Sequence, residues 1–381
     1  MLDCLASAGL RRQTGVLLSW RGCLKCAVSC PKLPPWFYET SASPNMNTPT
    51  NNHRTSFAYF ARSSPAAFLS VTVALLAVAR ARAADTSARI TERLDSAKAE
   101  LVWSYKSRPL LAYTFATNQF KPYVRELYTL RGENVLLDAP SDHLHHHGLM
   151  YAIRVNGVNF WEEKTDPGVE KPKELLSHKA GVAKGVPQAS FTQLIHWVAN
   201  TNRHVANSAA VAMLIERRTL KLTVNEAQQE IAVEWISEFK AGPVAGGVQV
   251  HGTEYNGLGF RPVRAFDKAA EFQDSLGAAF TTPQPRTMPA AEWTSMSARL
   301  DSKPVSVAMF GDPANARGNA VFFTMREPFA YLAATQAINK EPISHATGDK
   351  FHLRYLVTVN SELQTPAQLA QRYQAWLKRS E

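Results

Sequence analysis

The sequence of residues Arg218–Ala241 is RTLKLTVNEAQQEIAVEWISEFKA, and this stretch decides the fold class. In each half every second residue is apolar: Leu220, Leu222 and Val224, then Ile231, Val233 and Trp235. A polar turn near Asn225 separates the halves. Alternation with a period of two on both sides of a turn predicts a pair of antiparallel strands with one buried face.

The same pattern recurs along the body of the chain from about residue 89 onward. Aromatic and β-branched residues fill segment 100–116, with a break at Pro109, and segments 319–325, 330–335 and 350–359 continue the series. Turn residues separate these segments about every ten positions. Many short strands favour an all-β, antiparallel sandwich of about 290 residues.

Helical periodicity is clear only at the end of the chain, in residues 365–380. Thr365 is a suitable cap and Pro366 fits the first turn. Leu369, Tyr373 and Trp376 are spaced to line one face. The sequence therefore predicts one C-terminal helix. Residues 162–190 are rich in Lys, Pro and Gly, which favours a long loop.

Charge and cysteine are concentrated at the N-terminus. The formal net charge is +10, but residues 1–84 hold nine of the 42 basic and two of the 32 acidic residues, which leaves 33 and 30 for the remainder. No later cluster of Lys and Arg alternates with aromatic residues, so a nucleic-acid partner is not expected. Cys4, Cys23, Cys26 and Cys30 are the four cysteines, which excludes thiol catalysis in the body.

The N-terminal segment resembles an export signal. Residues 66–79 are apolar apart from Ser70 and Thr72, a run shorter than the ~20 residues of a membrane span. Arg62 precedes the run and Ala81-Arg82-Ala83 offers a cleavage site. We therefore expect a leader or misassigned start at 1–45, a signal peptide at 46–84, and a single sandwich domain at 85–381. The mature protein would be periplasmic or secreted, without a membrane span. A short buried helix or an uncleaved anchor is the alternative.

The stretch PSDHLHHHG, residues 140–148, places four of the eleven histidines within five positions. If the stretch is extended, His143, His145 and His147 point to one face and His146 to the other. Imidazoles titrate near neutral pH, so such a group suits acid–base catalysis, with Asp142 orienting one ring. It also suits a divalent metal. The alternative is a polar surface turn.

Residues on either side of the histidines strengthen the case for a site. Asn156-Gly157 predicts a hairpin that leads to Trp161 and Glu162. A Trp ring beside acidic groups is typical of a sugar pocket, although Trp161 could equally belong to the core. The segment HGTEYNGLGFR, residues 251–261, adds further candidates for binding or catalysis: His251, Glu254 and Arg261.

These motifs resemble the bacterial PmoA-like, or "methane oxygenase PmoA", family. The matching positions are Pro140, Asp142, His143, His145, His146, Gly148 and Leu149, then Val155, Asn156, Gly157, Phe160 and Trp161, and finally Glu254, Gly259 and Arg261. The resemblance covers most of residues 100–360. It implies a galactose-mutarotase-like sandwich and a role with carbohydrates.

The chain departs from the family pattern at several positions. His147 stands where the family often has Arg, Asn159 where it often has Asp, and Gly311-Asp312 where a His-Pro pair is expected. The family name does not describe a membrane oxygenase here, because the chain has one short apolar run and such a subunit needs several long spans.

Three functions follow from these residues, all with a carbohydrate or polyol as the partner. The first is a glycoside hydrolase, lyase or epimerase in which His143, His145 and His146 act with Glu254 as acid and base, while Arg261, Trp161, His251 and Glu162 bind the substrate. The second is a metal-dependent enzyme with a divalent ion on His143, His145 and Glu254. The third is a sugar-binding module without catalysis.

Overall fold

The computed structural model describes residues 88–164, 167–199, 211–277, 279–280 and 286–378. The predicted leader, the export signal and the four cysteines lie outside the described residues. Among the described residues, no helix has both the length and the apolar character needed to cross a membrane.

The described chain is built from strands joined by short turns. In chain order they are β1 (Ile90–Asp95), β2 (Glu100–Tyr105), β3 (Arg108–Thr114), β4 (Tyr123–Leu127), β5 (Leu149–Ala152), β6 (Arg154–Val155), β7 (Val158–Asn159), β8 (Gly168–Ala183), β9 (Val186–Ala199), β10 (Ala212–Asn225), β11 (Glu230–Ala241), β12 (Val248–His251), β13 (Gly257–Phe260), β14 (Glu271–Asp274), β15 (Ala279–Phe280), β16 (Arg286–Ala290), β17 (Trp293–Leu300), β18 (Lys303–Gly311), β19 (Val321–Met325), β20 (Tyr331–Thr335), β21 (Ile343–His345) and β22 (Lys350–Asn360). A single 3₁₀ turn covers Arg264–Phe266, and helix α1 covers Pro366–Leu377.

The strands form two nine-stranded antiparallel sheets and one four-stranded sheet. The first sheet has the order β1-β2-β3-β4-β5-β13-β20-β19-β16, and the second has β15-β14-β17-β18-β22-β11-β10-β9-β8. The small sheet has the order β21-β12-β6-β7. The strand pair predicted around Asn225 is β10 and β11, paired in register from Asn225 with Glu230 to Leu214 with Ala241.

The two large sheets pack face to face around one apolar core. Trp103 and Tyr113 of the first sheet contact Phe191 of the second, with ring centroids 5.6 and 4.5 Å apart. Tyr151 and Trp197 meet in the same way at 6.0 Å. The predicted fold class, an antiparallel β-sandwich with a C-terminal helix, is confirmed.

A charged network lies inside this core. Arg218 is fully buried, donates to Glu216 and Glu170 at 2.8–2.9 Å, and donates to the carbonyl oxygen of Pro122 at 2.8 Å. Burial raises the pKa of Glu170 to about 8, although Arg218 opposes the shift. Because Arg218 lies on β10 and Pro122 immediately precedes β4, the network joins the two sheets.

Helix α1 forms as the sequence predicts. The Thr365 side chain accepts from the Gln368 backbone, and the Gln368 side chain accepts from the Thr365 backbone, which completes a capping box. Leu369, Tyr373 and Trp376 are buried. They pack with Trp293 and Phe310 against the outer face of the second sheet.

The long loop predicted for residues 162–190 is wrong over most of its length. Residues 168–183 and 186–199 form the hairpin of β8 and β9. Many of the Lys, Pro and Gly residues that favoured a loop lie in β8. They are tolerated there because β8 is the edge strand of the second sheet. Bulges near Pro172 and Leu175 interrupt its ladder. Charge, Pro and bulges are the features that protect an exposed edge from pairing with another chain.

Candidate functional site

The histidine stretch forms two consecutive turns. It is not extended, as it would have to be for its side chains to alternate between two faces. The backbone N–H of His143 donates to the carbonyl of Pro140, and that of His146 donates to the carbonyl of His143. Gly148 ends the turn at a φ of +28°, and a Cβ there would lie 2.2 Å from the Val124 carbonyl oxygen. The expected grouping of His143, His145 and His147 on one face is therefore wrong.

The turn covers an aromatic cluster on the outer face of the first sheet. This cluster, hereafter the aromatic floor, consists of Tyr123, Met150, Trp161, Phe323, Met325, Phe329 and Tyr331, with Tyr255 packed against it. Alternate residues of the same strands enter the core on the opposite face, as a half-buried sheet requires. Gly259 keeps the floor flat, since a Cβ at that position would lie 1.9 Å from the Tyr331 hydroxyl oxygen.

Three of the four imidazoles pack together on this floor. His143 stacks on His146 with centroids 4.7 Å apart, and His145 meets His146 edge-on at 4.5 Å. His146 also lies 5.7 Å from Tyr331, and His145 lies 6.3 Å from Trp161. The structure thus brings together His143, His145 and His146, which were predicted as a group, with Trp161.

Burial keeps two of these rings neutral. Burial, with the charge of Lys121 adding to it, lowers the pKa of His145 to about 4. Burial, with neighbouring imidazoles and Arg261 adding to it, lowers the pKa of His146 to about 2. The Nδ1 atoms of His143 and His146 are buried without a hydrogen-bond partner among the described residues. His145 and His146 are therefore uncharged imidazoles at neutral pH.

His147 has the opposite environment. Its Nδ1 lies 2.8 Å from Oδ1 of Asp138 and its Nε2 lies 3.0 Å from Oε1 of Glu163. Burial would lower the pKa of His147, but the two carboxylates outweigh it and raise the pKa. The ring stacks on Tyr123 at 4.2 Å, and the Tyr123 hydroxyl donates to Oδ2 of Asp138 at 3.1 Å.

Lys121 completes this chain of charges. Its Nζ donates to Glu163 at 2.6 Å and to the Trp161 carbonyl at 3.3 Å, and its side chain is only 1% exposed. Burial would raise the pKa of Glu163, but His147 and Lys121 lower it to about 2. The line Lys121–Glu163–His147–Asp138–Tyr123, hereafter the charge chain, fixes the end of the histidine turn to the hairpin that follows β5.

The predicted hairpin at Asn156-Gly157 is confirmed, and it delivers Trp161 and Glu162 to the site. The side-chain oxygen of Asn159 accepts from the backbone N–H groups of Trp161 and Glu162. Trp161 is 6% exposed, so most of its ring packs against the floor. Glu162 is more open and belongs to the charges that act on His145.

His251 ends β12, and Glu254 lies in the segment between β12 and β13. Glu254 is half-buried and raises the pKa of its neighbour Tyr255, after burial, which is the larger cause. The Tyr255 ring contacts Phe323 at 4.5 Å. His251 accepts a hydrogen bond from the Gly157 N–H through Nε2 at 2.9 Å and so holds the hairpin turn.

Arg261 is 1% exposed and lies among the floor residues. Its Nη1 donates to the Ala330 carbonyl at 2.8 Å and to Asp267 at 3.1 Å, and its guanidinium lies over the Phe329 ring at 4.5 Å. Its Nε and Nη2 have no hydrogen-bond partner among the described residues. The Tyr331 hydroxyl is buried and unpartnered in the same way.

Asp142 lies at the outer end of the turn. It pairs with Arg264 at 3.1 Å and lies 3.5 Å from Nδ1 of His143. Within the described ranges, no three or more His, Cys, Asp or Glu side chains are arranged to hold a metal ion. The suggested ligand set of His143, His145 and Glu254 is accordingly not gathered into such a group.

Several residues of the site did not stand out in the sequence. Lys121, Tyr123 and Asp138 are ordinary residues in their local segments. Tyr331 belongs to segment 330–335, which the strand pattern assigned to structure alone, and Phe329 directly precedes that segment. A signal was available for Glu163, which adjoins Glu162 after the hairpin. The others come together only through the pairing of β4, β5, β13 and β20.

A family model described as "Family of unknown function (DUF6807)" matches residues 100–374. No curated protein matches the sequence. Three solved structures are among those similar to parts of this chain. The galactosidase domain of the alpha-galactosidase-sucrose kinase AgaSK is 8% identical over 71% of this chain and 42% of that chain, with a TM-score of 0.42.

The GH36 alpha-galactosidase AgaA from Geobacillus stearothermophilus, in complex with raffinose, is 12% identical over 62% of this chain and 30% of that chain, with a TM-score of 0.30. A galactose mutarotase related enzyme from Lactobacillus acidophilus is 8% identical over 72% of this chain and 100% of that chain, with a TM-score of 0.33. The chain thus spans less than half the length of the two galactosidase chains.

Proposed function

The chain belongs to the DUF6807 family of unknown function, and we propose that it is a carbohydrate-active enzyme in which His145 is the general base. The observation that carries the proposal is the state of this ring. His145 is half-buried, its pKa is lowered to about 4 by burial and by Lys121, and its contacts among the described residues are with rings. It is therefore a neutral imidazole with a free nitrogen at an open position.

Glu162 is the partner carboxyl group in this proposal. It lies close enough for its charge to act on His145, its side chain is 37% exposed, and Asn159 donates to its Oε2 at 3.2 Å. Acid–base chemistry at a sugar carbon or ring oxygen needs two titratable groups beside the reacting atoms. The assignment moves the carboxyl role from Glu254 to Glu162, because the charge of Glu162 is among those that act on a histidine of the cluster.

The charge chain positions the base. His147 has a carboxylate oxygen at each ring nitrogen, so it holds the turn in place and does not donate to a ligand. Lys121 and Glu163 fix the hairpin that carries Glu162. A rigid support of this kind keeps catalytic groups within the small tolerances that proton transfer needs.

A carbohydrate is the proposed substrate class because aromatic rings and hydrogen-bonding groups alternate at the site. Tyr255, half-buried beside Tyr331, offers a ring to the apolar face of a sugar. Neutral imidazoles and the Tyr331 hydroxyl offer donors and acceptors to its hydroxyl groups. The resemblance of the histidine motif to the PmoA-like family is part of the same proposal.

A screen of glycosides and keto-sugars against wild-type and His145→Ala protein tests the function. His145→Ala should lower turnover by roughly 10²–10⁴-fold, the usual contribution of a general base, with the unfolding transition unchanged. The exposed His352 on β22 provides the control, and His352→Ala should keep full activity. Sugar binding without turnover by the wild type would instead identify a binding module. Turnover that survives His145→Ala would refute the role of the base.

We also propose that the protein is exported after cleavage near Ala83, as residues 66–84 predict. N-terminal sequencing of the protein from its native host tests this. A mature terminus at 84 or 85 supports export, and a terminus before residue 80 contradicts it.

A further inference from the structure

The buried side of Arg261 is the feature that extends the proposed function. A guanidinium group has five N–H donors, and two of them, on Nε and Nη2, lie side by side along one edge. In Arg261 only Nη1 is hydrogen-bonded, to Asp267 and to the carbonyl of Ala330. The edge formed by Nε and Nη2 is buried without a partner among the described residues. The two N–H groups of this edge have the geometry to donate one hydrogen bond to each oxygen of a carboxylate.

The guanidinium is fixed before any ligand arrives. Oδ1 of Asp267 accepts from Nη1 of Arg261 and also from the backbone N–H of Ala330 at 2.8 Å, so the carboxylate that holds the arginine is itself held. The Phe329 ring lies 4.5 Å from the guanidinium carbon and fixes the plane. Such preorganisation reduces the entropy that a ligand loses on binding.

Two more buried polar atoms without a hydrogen-bond partner among the described residues belong to side chains on which the charge of Arg261 acts. The Tyr331 hydroxyl is buried, and the charge of Arg261 acts on it. Nδ1 of His146 is buried, and the charge of Arg261 is among those that act on that ring. The positive charge of Arg261, with the Nε and Nη2 donors that Asp267 leaves unpaired, favours an anionic ligand group at this point.

We propose that Arg261, with the Tyr331 hydroxyl, binds the carboxylate of an acidic sugar, so that the substrate class is uronic acids or their glycosides. The proposal rests on the proposed carbohydrate function. The edge of Arg261 is sealed from solvent, so a ligand must move a side chain aside. His143 is the candidate, because its side chain is 35% exposed while its ring contacts Phe329 edge-on at 4.6 Å.

Calorimetric titration of the full chain with four monosaccharides tests the proposal. Galacturonate and glucuronate are compared with galactose and glucose, which differ from them only at C6. The uronates should bind about tenfold tighter or more, the gain expected of a bidentate, charge-assisted contact. Equal affinity for each acid and its neutral partner would overturn the proposal.

Three variants assign the effect to Arg261. Arg261→Lys keeps the positive charge but loses the paired donors, and it should abolish the preference for uronates while neutral sugars bind as before. Arg217→Lys changes an exposed arginine on β10, in the other large sheet, and should keep the preference. Tyr331→Phe removes one donor without changing the shape of the core and should weaken uronate binding severalfold. A preference that survives Arg261→Lys contradicts the assignment.

The outcomes separate this inference from the proposed function. Neutral sugars that bind and turn over without a preference for uronates would remove the carboxylate subsite and leave the enzyme proposal intact. Uronates that bind tightly in a wild type without turnover would remove the enzyme and leave the subsite. Absence of binding by all four sugars would overturn both.

Discussion

Replacement of Glu163 by Gln should cost the protein about 3 kcal/mol of unfolding free energy at pH 7. The substitution keeps the shape of the side chain and removes its charge. The side chain of Lys121 is 1% exposed. It would keep its hydrogen bond to the Trp161 carbonyl oxygen at 3.3 Å but would lose the negative charge of Glu163. Loss of one partner from a buried ion pair costs roughly 3–5 kcal/mol.

The pKa of Glu163 gives an independent value for the same interaction. A pKa of about 2 in the folded protein, against the usual 4.5, corresponds to roughly 3 kcal/mol of stabilisation of the charged form. Glu163 is 17% exposed, so solvent screens the interaction only weakly. Because the folded-state pKa is the lower one, this stability is present above pH 4.5 and is lost as the pH falls towards 2.

Urea unfolding of Glu163→Gln and Glu162→Gln, followed by tryptophan fluorescence, measures the difference. Glu162 is the matched control, since it is the adjacent residue, 37% exposed, and its cationic neighbour Lys164 lies 3.8 Å away. We expect a change below about 0.5 kcal/mol for Glu162→Gln, as for most exposed ion pairs. If both variants lose the same small amount, the charge chain does not stabilise the fold and our account of the site is wrong.

Three further measurements test other parts of the structure. Gly259→Ala should destabilise the protein by about 1–3 kcal/mol, because the new Cβ would meet the Tyr331 hydroxyl, and adding Tyr331→Phe should restore part of that loss in thermal unfolding. Glu170→Gln should cost less than Glu216→Gln at pH 7, because burial raises the pKa of Glu170 and only its Oε2 accepts a hydrogen bond among the described residues, whereas both oxygens of Glu216 accept. Equal losses would contradict the network. The raised pKa of His147 adds stability that is complete below pH 6.5 and is lost as the pH rises through the folded-state pKa. The loss of unfolding free energy in His147→Gln should therefore become smaller between pH 6 and pH 9. A loss that becomes larger over this range would contradict the assigned direction of the pKa shift.

Regular alternation made much of the fold predictable. The β10–β11 pair follows from residues 218–241 alone, because each strand buries one face and the period of two is unbroken. Helix α1 follows from its capping residues and its apolar spacing. In both cases a local pattern and the final packing require the same arrangement, which is the condition under which sequence predicts structure.

Prediction failed where local composition and tertiary position disagree. β8 has the polar, Pro-containing composition of a loop because an edge strand has one ladder open to solvent. The histidine stretch has no apolar alternation that could set its conformation. Its turns come from backbone hydrogen bonds and from the close approach of Gly148 to Val124.

The candidate site was predictable as a location but not as an arrangement. The density of histidines in residues 143–147 marks the position, since few structural roles require so many imidazoles together. The pKa is lowered for His145 and His146 and raised for His147. This difference depends on Lys121, Asp138 and Glu163, which the pairing of the strands brings to the histidines. The unpartnered edge of Arg261 likewise depends on how Asp267 and Ala330 occupy Nη1.

The position of β22 has a consequence for biosynthesis. This strand lies between β11 and β18 in the middle of the second sheet, yet it follows all the other described strands of that sheet in chain order. Until residues 350–360 emerge, the nascent chain has two separate ladders, and the inner edges of both, Glu230–Ala241 and Lys303–Gly311, lack their partner. Open edges of this length are prone to pair with other chains. Closure of the sheet therefore waits for the synthesis of residues 350–360, and until then the two open edges are exposed to aggregation.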